Sequence, residues 1–164
     1  MKKHPVLNLP PCALDIRPDA DSRRGADKVY DRLRQRWVSL TPEEWVRQNF
    51  VAFLVLQRAF PPQFMTNELG LKLNGTQRRA DTMVYTPSLR PLAVVEYKAP
   101  EVTLTQKVFD QIARYNIVMG APYLIVSNGM HHFCCRYRDG GYVFLPDIPA
   151  YPDMLAETSG ENNK

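Results

Sequence analysis

A charged pair, Glu96 and Lys98, ends the most apolar segment of the chain, residues 92–98, whose sequence is LAVVEYK. Side chains two residues apart on a β-strand point to the same face, so Glu96 and Lys98 project together while Tyr97 points away. Asp81 opens the preceding predicted strand, and antiparallel pairing would bring its carboxylate beside that of Glu96. Two carboxylates this close repel each other unless a proton or a cation lies between them.

A divalent metal ion fits this pair of carboxylates. Mg²⁺ takes oxygen ligands, commonly one or two carboxylates with waters and phosphate oxygens, and Mn²⁺ accepts similar donors. Asp81, Glu96 and the carbonyl oxygen of Tyr97 therefore form a candidate open metal site, where the metal would activate a water and neutralise charge on a scissile phosphate. Lys98 would orient or deprotonate the attacking water, or stabilise the phosphorane. The spacing is equally typical of an ion pair between Glu96 and Lys98, with Asp81 capping a turn.

Helices on either side of these strands must position the charged residues. Thr41 is a natural N-cap and Glu44 completes a capping box, which predicts a helix over residues 42–59. A second capping box, Thr103 with Gln106, begins a helix whose apolar residues recur at helical spacing up to position 119. Residues 28–37 are interpreted as a further short helix.

Alternating apolar residues and turn signals predict a mixed β-sheet. The dipeptide at positions 74–75, Asn-Gly, is a strong hairpin signal. The order strand, helix, strand over residues 92–127 predicts a right-handed crossover between parallel strands. The predicted strands are residues 69–73, 79–85, 92–98, 123–127, 132–137 and 142–145. The fold class is therefore α/β, with a mixed sheet flanked by helices.

The composition suits one folded domain. The chain has 164 residues, 45% of them apolar, which is enough for one hydrophobic core. We expect an extended arm over residues 1–28, the domain over residues 29–150, and a polar tail, disordered at its end, over residues 151–164. The formal charge of +4 is compatible with a polyanionic partner. No apolar run approaches the ~20 residues needed to cross a bilayer, and no secretion signal is visible, so we expect a cytoplasmic protein without a membrane partner.

Four blocks in the same order resemble the PD-(D/E)xK nuclease superfamily and, more narrowly, the N-terminal domain of type I restriction enzyme R subunits. The blocks are TPEEWVRQ at 41–48, LKLNG at 71–75 with RAD at 79–81, EYKAPE at 96–101, and FDQIARYN at 109–116. The resemblance covers roughly residues 28–150. It implies a restriction-endonuclease-like fold, Mg²⁺ as cofactor, and cleavage of double-stranded DNA.

The resemblance also implies roles for individual residues. Asp81 and Glu96 would bind the metal, and Lys98 would be catalytic. Gln111 and Tyr115, which match the trailing Q-x-x-x-Y motif, would lie near the site and the DNA. The alternative is that Gln111 is ordinary helix surface and that Tyr115 belongs to the core, since it lies on the apolar stripe of the second helix.

Related nucleases often add a carboxylate from the first helix, here Glu43 or Glu44. Glu44 already has a structural task in the capping box, which makes a catalytic role the less favoured interpretation. Arg78 and Arg79 lie beside the turn that leads to Asp81 and would be placed to hold phosphates, although solvated turn arginines are the more common case.

An R subunit also carries helicase domains with a P-loop, and this sequence contains no G-x-x-x-x-G-K-[ST] motif. The chain is therefore either a piece of a larger subunit or a free-standing domain, and its polar ending favours the second. Two functions remain open. One is a Mg²⁺-dependent endonuclease, and the other is a catalytically silent, DNA-binding nuclease-like module within a complex that contains other restriction-modification or helicase subunits.

Overall fold

The computed structural model describes residues 3–23, 25–73 and 76–161, without the side chains of residues 69–73, 76–79 and 161. Within these residues the chain forms a three-stranded antiparallel sheet and a six-stranded mixed sheet. Three α-helices accompany them. The predicted α/β class is confirmed. No helix in the described part of the chain is long and apolar enough to cross a membrane.

The small sheet consists of β1 (Ile16–Pro18), β2 (Asp27–Asp31) and β3 (Arg36–Ser39), in that order. The short helix predicted over residues 28–37 is therefore wrong. Burial along β2 alternates, with Val29 buried between two half-buried neighbours, which is the period of a strand. The turn between β2 and β3 includes Gln35 at a φ of +53°, a conformation that an α-helix does not contain.

The N-terminal segment is packed as well, so the interpretation of residues 1–28 as an arm without packed elements is wrong. Besides β1 and the start of β2, the Asn8 N–H donates to the carbonyl of Gly129 at 2.9 Å, and the Trp45 indole donates to the carbonyl of Pro5 at 2.9 Å. Such contacts hold an extended, proline-rich chain without imposing any periodicity that a sequence would show.

The large sheet has the strand order β4-β5-β6-β7-β8-β9. Only β6 and β7 run parallel, as the crossover predicted, and the other neighbours pair antiparallel. The predicted strands are confirmed with small shifts at their ends, while the predicted turn at positions 74–75 lies outside the described residues. The strands are β4 (Met65–Leu73), β5 (Thr76–Tyr85), β6 (Pro91–Tyr97), β7 (Tyr123–Ser127), β8 (His132–Arg138) and β9 (Gly141–Leu145).

Two of the helices, α1 (Pro42–Gln57) and α2 (Gln106–Ile117), contribute to two hydrophobic clusters formed with the large sheet. Phe50 of α1 packs with Val95 in one cluster, and Ile112 of α2 packs with Val94 in the other. Val94 and Val95 are successive residues of β6, so their side chains point to opposite faces. The strand that carries Glu96 is thus covered on both sides.

The chain closes with α3 (Tyr151–Glu161), so the prediction of a polar tail is wrong for these residues. Tyr151 and Met154 are buried in the cluster beneath α1. The Tyr151 hydroxyl donates to the carbonyl of Tyr85 at 2.8 Å, and Glu157 accepts from the hydroxyl of Tyr123 at 2.9 Å. Two apolar residues at helical spacing within a polar stretch are sufficient to dock this helix.

Candidate active site

The structure places the carboxylates of Asp81 and Glu96 on neighbouring strands. Thr82 of β5 pairs with Val95 of β6, so Asp81 and Glu96 occupy the next positions along the same ladder. Asp81 lies within β5 rather than at its start. Its Oδ2 accepts a hydrogen bond from the backbone N–H of Tyr97 at 2.9 Å, which fixes the carboxylate against β6.

Glu96 is in an environment that opposes its negative charge. Burial raises the pKa of Glu96 to about 9, and the neighbouring charge of Asp81 acts in the same direction. Asn116 and the positive charge of Lys98 oppose this shift in part. At neutral pH the pair therefore retains a proton when no cation is present, and a cation bound between the two carboxylates would displace it.

Lys98 follows the last residue of β6 and is half-buried. Its backbone N–H donates to the carbonyl of Ser127 at 2.9 Å, which continues the parallel pairing of β6 with β7 by one residue. The charge of Lys98 acts on the carboxyls of Glu96 and Glu43. The ammonium group of Lys98 is thus within electrostatic reach of one strand carboxylate, Glu96, and one helix carboxylate, Glu43.

The donors of this site fit a hard divalent cation. In the described part of the chain, no group of three or more His, Cys, Asp or Glu side chains is arranged to hold a metal ion. Two carboxylates are nevertheless enough for Mg²⁺, which usually keeps several waters and takes further oxygens from a substrate phosphate. The raised pKa of Glu96 beside Asp81 is the observation that favours a cation here.

The structure distinguishes the two acidic residues in the first turn of α1. Burial and the charge of Asp81 raise the pKa of Glu43, so Glu43 is within electrostatic reach of the pair. Glu44 is bound instead by Arg34 and by Arg47, whose Nε lies 3.1 Å from its Oε2. The sequence interpretation named both residues and made a catalytic role of Glu44 the less favoured one; the carboxylate whose pKa the charge of Asp81 raises is Glu43.

The capping box at the start of α1 is only half formed. The Thr41 hydroxyl accepts from the N–H of Glu44 at 3.1 Å, as predicted. The Thr41 N–H, however, donates to the carbonyl of Ser39 rather than to the side chain of Glu44. The structural task of Glu44 is therefore to neutralise Arg34 and Arg47, and not to complete the cap.

Arg47 is a residue of the site that the sequence interpretation gave no role. It is 3% exposed and lies over the ring of Tyr97 at 5.7 Å. Its guanidinium lies 3.2 Å from Glu68 and 3.9 Å from Asp81, in addition to its contact with Glu44. A buried cation among three carboxylates compensates their repulsion and holds Asp81 in place. Its only sequence signal is the i,i+3 spacing to Glu44.

Glu68 was also not identified from the sequence. It lies in β4 between Asn67 and Leu69, which pair with Thr82 and Ala80, so it stands opposite Asp81. Its φ of +55° is in the left-handed region, which is uncommon for a residue with a side chain and is rarer still within a strand. No pattern in the sequence predicts a positive φ at this position.

A chain of buried hydrogen bonds joins the small sheet to the strands of the site. Asp31 of β2 accepts from the amides of Gln48 and Asn67 at 3.0 and 2.8 Å. The Thr82 hydroxyl donates to Asn67 at 2.6 Å and also contacts the hydroxyl of Tyr97 at 2.9 Å. Burial opposes ionisation of Asp31, but the backbone hydrogen bond near Arg34 and the Asn67 amide hold its pKa below the ordinary value.

On α2, the residue that reaches the carboxylates is Asn116. It is 2% exposed, donates to the carbonyl of Ile112 at 2.9 Å, and favours the ionised form of Glu96. Gln111 is exposed, and Tyr115 is 52% exposed, so Tyr115 does not belong to the core. The buried residues of α2 are Ile112, Ala113 and Asn116. Gln111 and Tyr115 each precede a buried residue by one position and lie on the exposed side of the helix.

Two other predicted residues, Arg78 and Arg79, lie in β5 on the side of Asp81 that leads to the hairpin. Their side chains are outside the described part of the structure. Next to the carboxylate pair, an open cleft of about 750 Å³ runs between β3 and the N-terminal turn of α1. Trp37, Glu43 and Arg47 are among the residues that line it. The cleft reaches Arg47, whose guanidinium contacts Asp81, but Asp81 and Glu96 themselves do not line it.

Solved structures that are similar to this chain include the following two. A fragment described as the HsdR subunit of a type I restriction enzyme from Vibrio vulnificus YJ016 matches with a TM-score of 0.59 at 19% identity, over 76% of this chain. This chain spans only 26% of the length of that structure. A cryo-EM structure of a DrdV–DNA complex matches with a TM-score of 0.43 at 17% identity, over 70% of this chain and 11% of the other. The first likeness shows the fold.

Comparison with curated proteins gives no sequence match. Among family profiles, the profile for the type I restriction enzyme R protein N terminus (HSDR_N) matches residues 42–149. The matched region begins with α1 and includes the strands of the large sheet, the two carboxylates and α2. It covers well over half of the chain and agrees with the fold of the HsdR fragment. The chain therefore belongs to the family of type I restriction enzyme R protein N-terminal domains.

Proposed function

We propose that this chain is a metal-dependent endodeoxyribonuclease domain that hydrolyses phosphodiester bonds of double-stranded DNA. The observation that supports it most is the pair of neighbouring carboxylates, Asp81 and Glu96, in surroundings that raise the pKa of Glu96 and with Lys98 close by. A buried, mutually repelling acid pair costs stability, and such groups are concentrated at functional sites. Membership of a restriction enzyme family supports the same conclusion.

Asp81, Glu96 and the carbonyl oxygen of Tyr97 would hold Mg²⁺, with Mn²⁺ as a substitute. When bound, the metal supplies Lewis-acid stabilisation of the negative charge that develops on the phosphate. Arg47 and the N–H of Tyr97 keep Asp81 in position, and Asn116 favours the ionised form of Glu96. These neighbours hold both carboxylates before the substrate arrives, so little reorganisation is needed during the reaction.

Lys98 would orient or deprotonate the water that attacks phosphorus, or stabilise the phosphorane with its positive charge. Glu43 is within electrostatic reach of Asp81 and Lys98, which makes it the first-helix carboxylate better placed to exchange a proton there. Glu44, in contrast, would act only indirectly, through Arg47. Gln111, Tyr115, Arg78 and Arg79 would contact the DNA around the scissile bond rather than the reacting atoms.

The partners of the chain are proposed on the same basis. Double-stranded DNA is the substrate class, and other restriction-modification or helicase subunits would act with the domain, since this chain spans only about a quarter of the HsdR structure that it resembles. A second candidate function is a catalytically silent, DNA-binding module. It is favoured by the formal charge of +4, which suits a polyanionic partner whether or not the chain cuts it.

Plasmid nicking in Mg²⁺, combined with calorimetric titration of Mg²⁺, distinguishes these functions. We expect the wild type to nick DNA, Lys98→Ala to lose nicking while still binding metal, and Asp81→Asn to lose both. Arg90→Ala removes an exposed cation just before β6, at the end of the strand away from Glu96, and serves as the matched control that keeps both properties. Equal nicking by the wild type and Lys98→Ala would reject the catalytic assignment. Duplex binding without metal binding would instead establish the silent module.

A further inference from the structure

Asn116 of α2 has a buried side-chain oxygen without a hydrogen-bond partner. Its Nδ2 donates to the carbonyl of Ile112 at 2.9 Å, which fixes the orientation of the amide, because a carbonyl oxygen accepts hydrogen bonds but cannot donate them. Within the described residues, Oδ1 of Asn116 is buried and accepts no hydrogen bond. An unsatisfied buried acceptor costs free energy, and its usual explanation is a water molecule, an ion or a functional role.

The unused oxygen is not a general property of buried asparagines in this fold. Asn49 of α1 is the matched case: its Nδ2 donates to the carbonyl of Trp45 at 2.8 Å, also one helical turn earlier, and its Oδ1 accepts from the thiol of Cys12 at 3.3 Å. In the described part of the chain, the buried asparagines whose oxygen accepts a hydrogen bond are Asn49, Asn67 and Asn128. Asn116 thus differs from them in the atom that remains available.

This oxygen lies beside the candidate metal site. Ile112 of α2 packs with Val94 of β6, and Glu96 follows Val94 by two positions, so α2 covers the face of β6 that carries Glu96. Glu96 also has a side-chain hydrogen-bond interaction with Asn116, which acts to lower the pKa of Glu96. Oδ1 and Nδ2 are bonded to the same carbon, so the available oxygen is close to the Glu96 carboxyl. Asn116 therefore adds a neutral oxygen to the surroundings of the carboxylate pair.

We propose that Oδ1 of Asn116 is a further oxygen ligand of the divalent cation, beside the carboxylates of Asp81 and Glu96. The inference rests on the proposed function and deepens it, because it assigns a ligand to α2 as well as to the strands. A neutral carbonyl oxygen suits Mg²⁺ and Mn²⁺, and it adds no third negative charge to two carboxylates that already repel each other. Since the described residues contain no group of three His, Cys, Asp or Glu side chains that could hold a metal ion, the amide oxygen supplies the third side-chain donor.

The test is calorimetric titration of Mg²⁺ and of Mn²⁺ into the full chain without DNA. We expect Asn116→Leu, which has no side-chain oxygen, to bind both ions at least about tenfold more weakly, the lower end of the loss seen when a supporting residue of a metal site is removed. Asn116→Asp keeps an oxygen at this position but loses the Nδ2 donor, so it is expected to bind at least as tightly as the wild type. Asn49→Leu removes an amide with the same helical hydrogen bond and is the control that keeps wild-type affinity.

The two Asn116 variants separate the roles of the two amide atoms. Weaker metal binding by both Asn116→Leu and Asn116→Asp would overturn the ligand assignment, because it would show that Asn116 acts through Nδ2. Unchanged binding by Asn116→Leu would overturn it too, and would make the available oxygen a site for water only. Thermal unfolding in EDTA checks that each variant is folded, and Asn116→Ala replaces Asn116→Leu if the larger side chain prevents folding.

Plasmid nicking by the same proteins separates this inference from the proposed function. Metal binding that is weaker in Asn116→Leu but not in Asn116→Asp, with no nicking by the wild type, would reject the nuclease function and retain the ligand. Nicking by the wild type, with equal metal affinity in the wild type and Asn116→Leu, would reject the ligand and retain the function.

Discussion

Among single residues, Glu96 is the one whose ionisation is most strongly opposed by its surroundings. Burial and Asp81 raise its pKa to about 9, whereas the same group in an unfolded chain has a pKa near the ordinary 4.5. The folded protein therefore holds a proton that the unfolded chain has already released at neutral pH. Stability from this group is complete below the ordinary pKa and is lost as the pH rises towards the folded value.

Glu96→Gln is expected to stabilise the metal-free protein, and more so at about pH 8 than at about pH 5, because the amide carries no charge at either pH. A difference of at least about 1 kcal/mol between the two conditions corresponds to a few degrees in melting temperature. The measurement is thermal unfolding in EDTA. Glu101→Gln, at an exposed position, is the control. A change in stability that is the same at both pH values would contradict the shifted pKa.

Substitution of Arg47 is expected to destabilise the protein, because it leaves neighbouring carboxylates without their cation. Arg47→Met is expected to lower the free energy of unfolding by about 3–5 kcal/mol, because Glu44, Glu68 and Asp81 would repel one another in a buried site. Urea unfolding measures the loss. Arg114→Met on the exposed surface of α2 is the control, and a comparable effect of both substitutions would show that charge pairing at Arg47 is unimportant.

How much of the site could be predicted from the sequence differs from residue to residue. The positions of Asp81, Glu96 and Lys98 follow from strand alternation, and the structure brings them together. Arg47 and Asn116 were not predicted, because residues of these types usually lie on the exposed surface of a helix, and only their burial in the structure reveals that their polar groups point inwards. The assignment of catalytic roles to any of these residues remains a prediction.

At the scale of elements, the strands of the large sheet and the crossover from β6 to β7 were predictable, since each is bounded by turn residues or a helix cap. The small sheet was not: the basic residues between positions 28 and 37 also suit a helix, and only the pairing of β2 with β1 and β3 decides between the two. Non-local hydrogen bonds of this kind leave little trace in a local sequence window.

The start of α2 gives a test at this scale. The sequence suggested Thr103 as its cap, but the structure shows the Thr105 hydroxyl accepting from the N–H of Val108 at 3.2 Å. Thr105→Ala is expected to lower the free energy of unfolding by about 1 kcal/mol, the usual cost of losing an N-cap. Thr103→Ala, two residues away, should have less than half that effect in the same denaturation experiment. A larger loss of stability in Thr103→Ala than in Thr105→Ala would instead identify Thr103 as the N-cap.

For the whole molecule, α3 completes the hydrophobic cluster beneath α1, so residues that resemble a polar tail contribute to global stability. Met154 is completely buried, and Met154→Ala should cost about 2–5 kcal/mol through lost burial and the cavity left behind. Met130→Ala, at a side chain 38% exposed, is the matched control and should cost much less. Chemical denaturation of both variants checks this, and equal midpoints would mean that α3 does not dock.

The chain of hydroxyls and amides below the site has a direction that its distances alone do not state. The single proton of the Thr82 hydroxyl is used on Asn67, so the contact between Thr82 and Tyr97 requires the tyrosine to donate. Asn67 in turn donates to Asp31, whose ionised carboxylate can only accept. Each hydrogen bond in this chain is therefore donated in the direction of the small sheet, from Tyr97 through Thr82 and Asn67 to Asp31. A single carboxylate in β2, which precedes the residues matched by the family profile, thus sets the orientation of the Thr82 and Tyr97 hydroxyls in the two strands that carry Asp81 and Glu96.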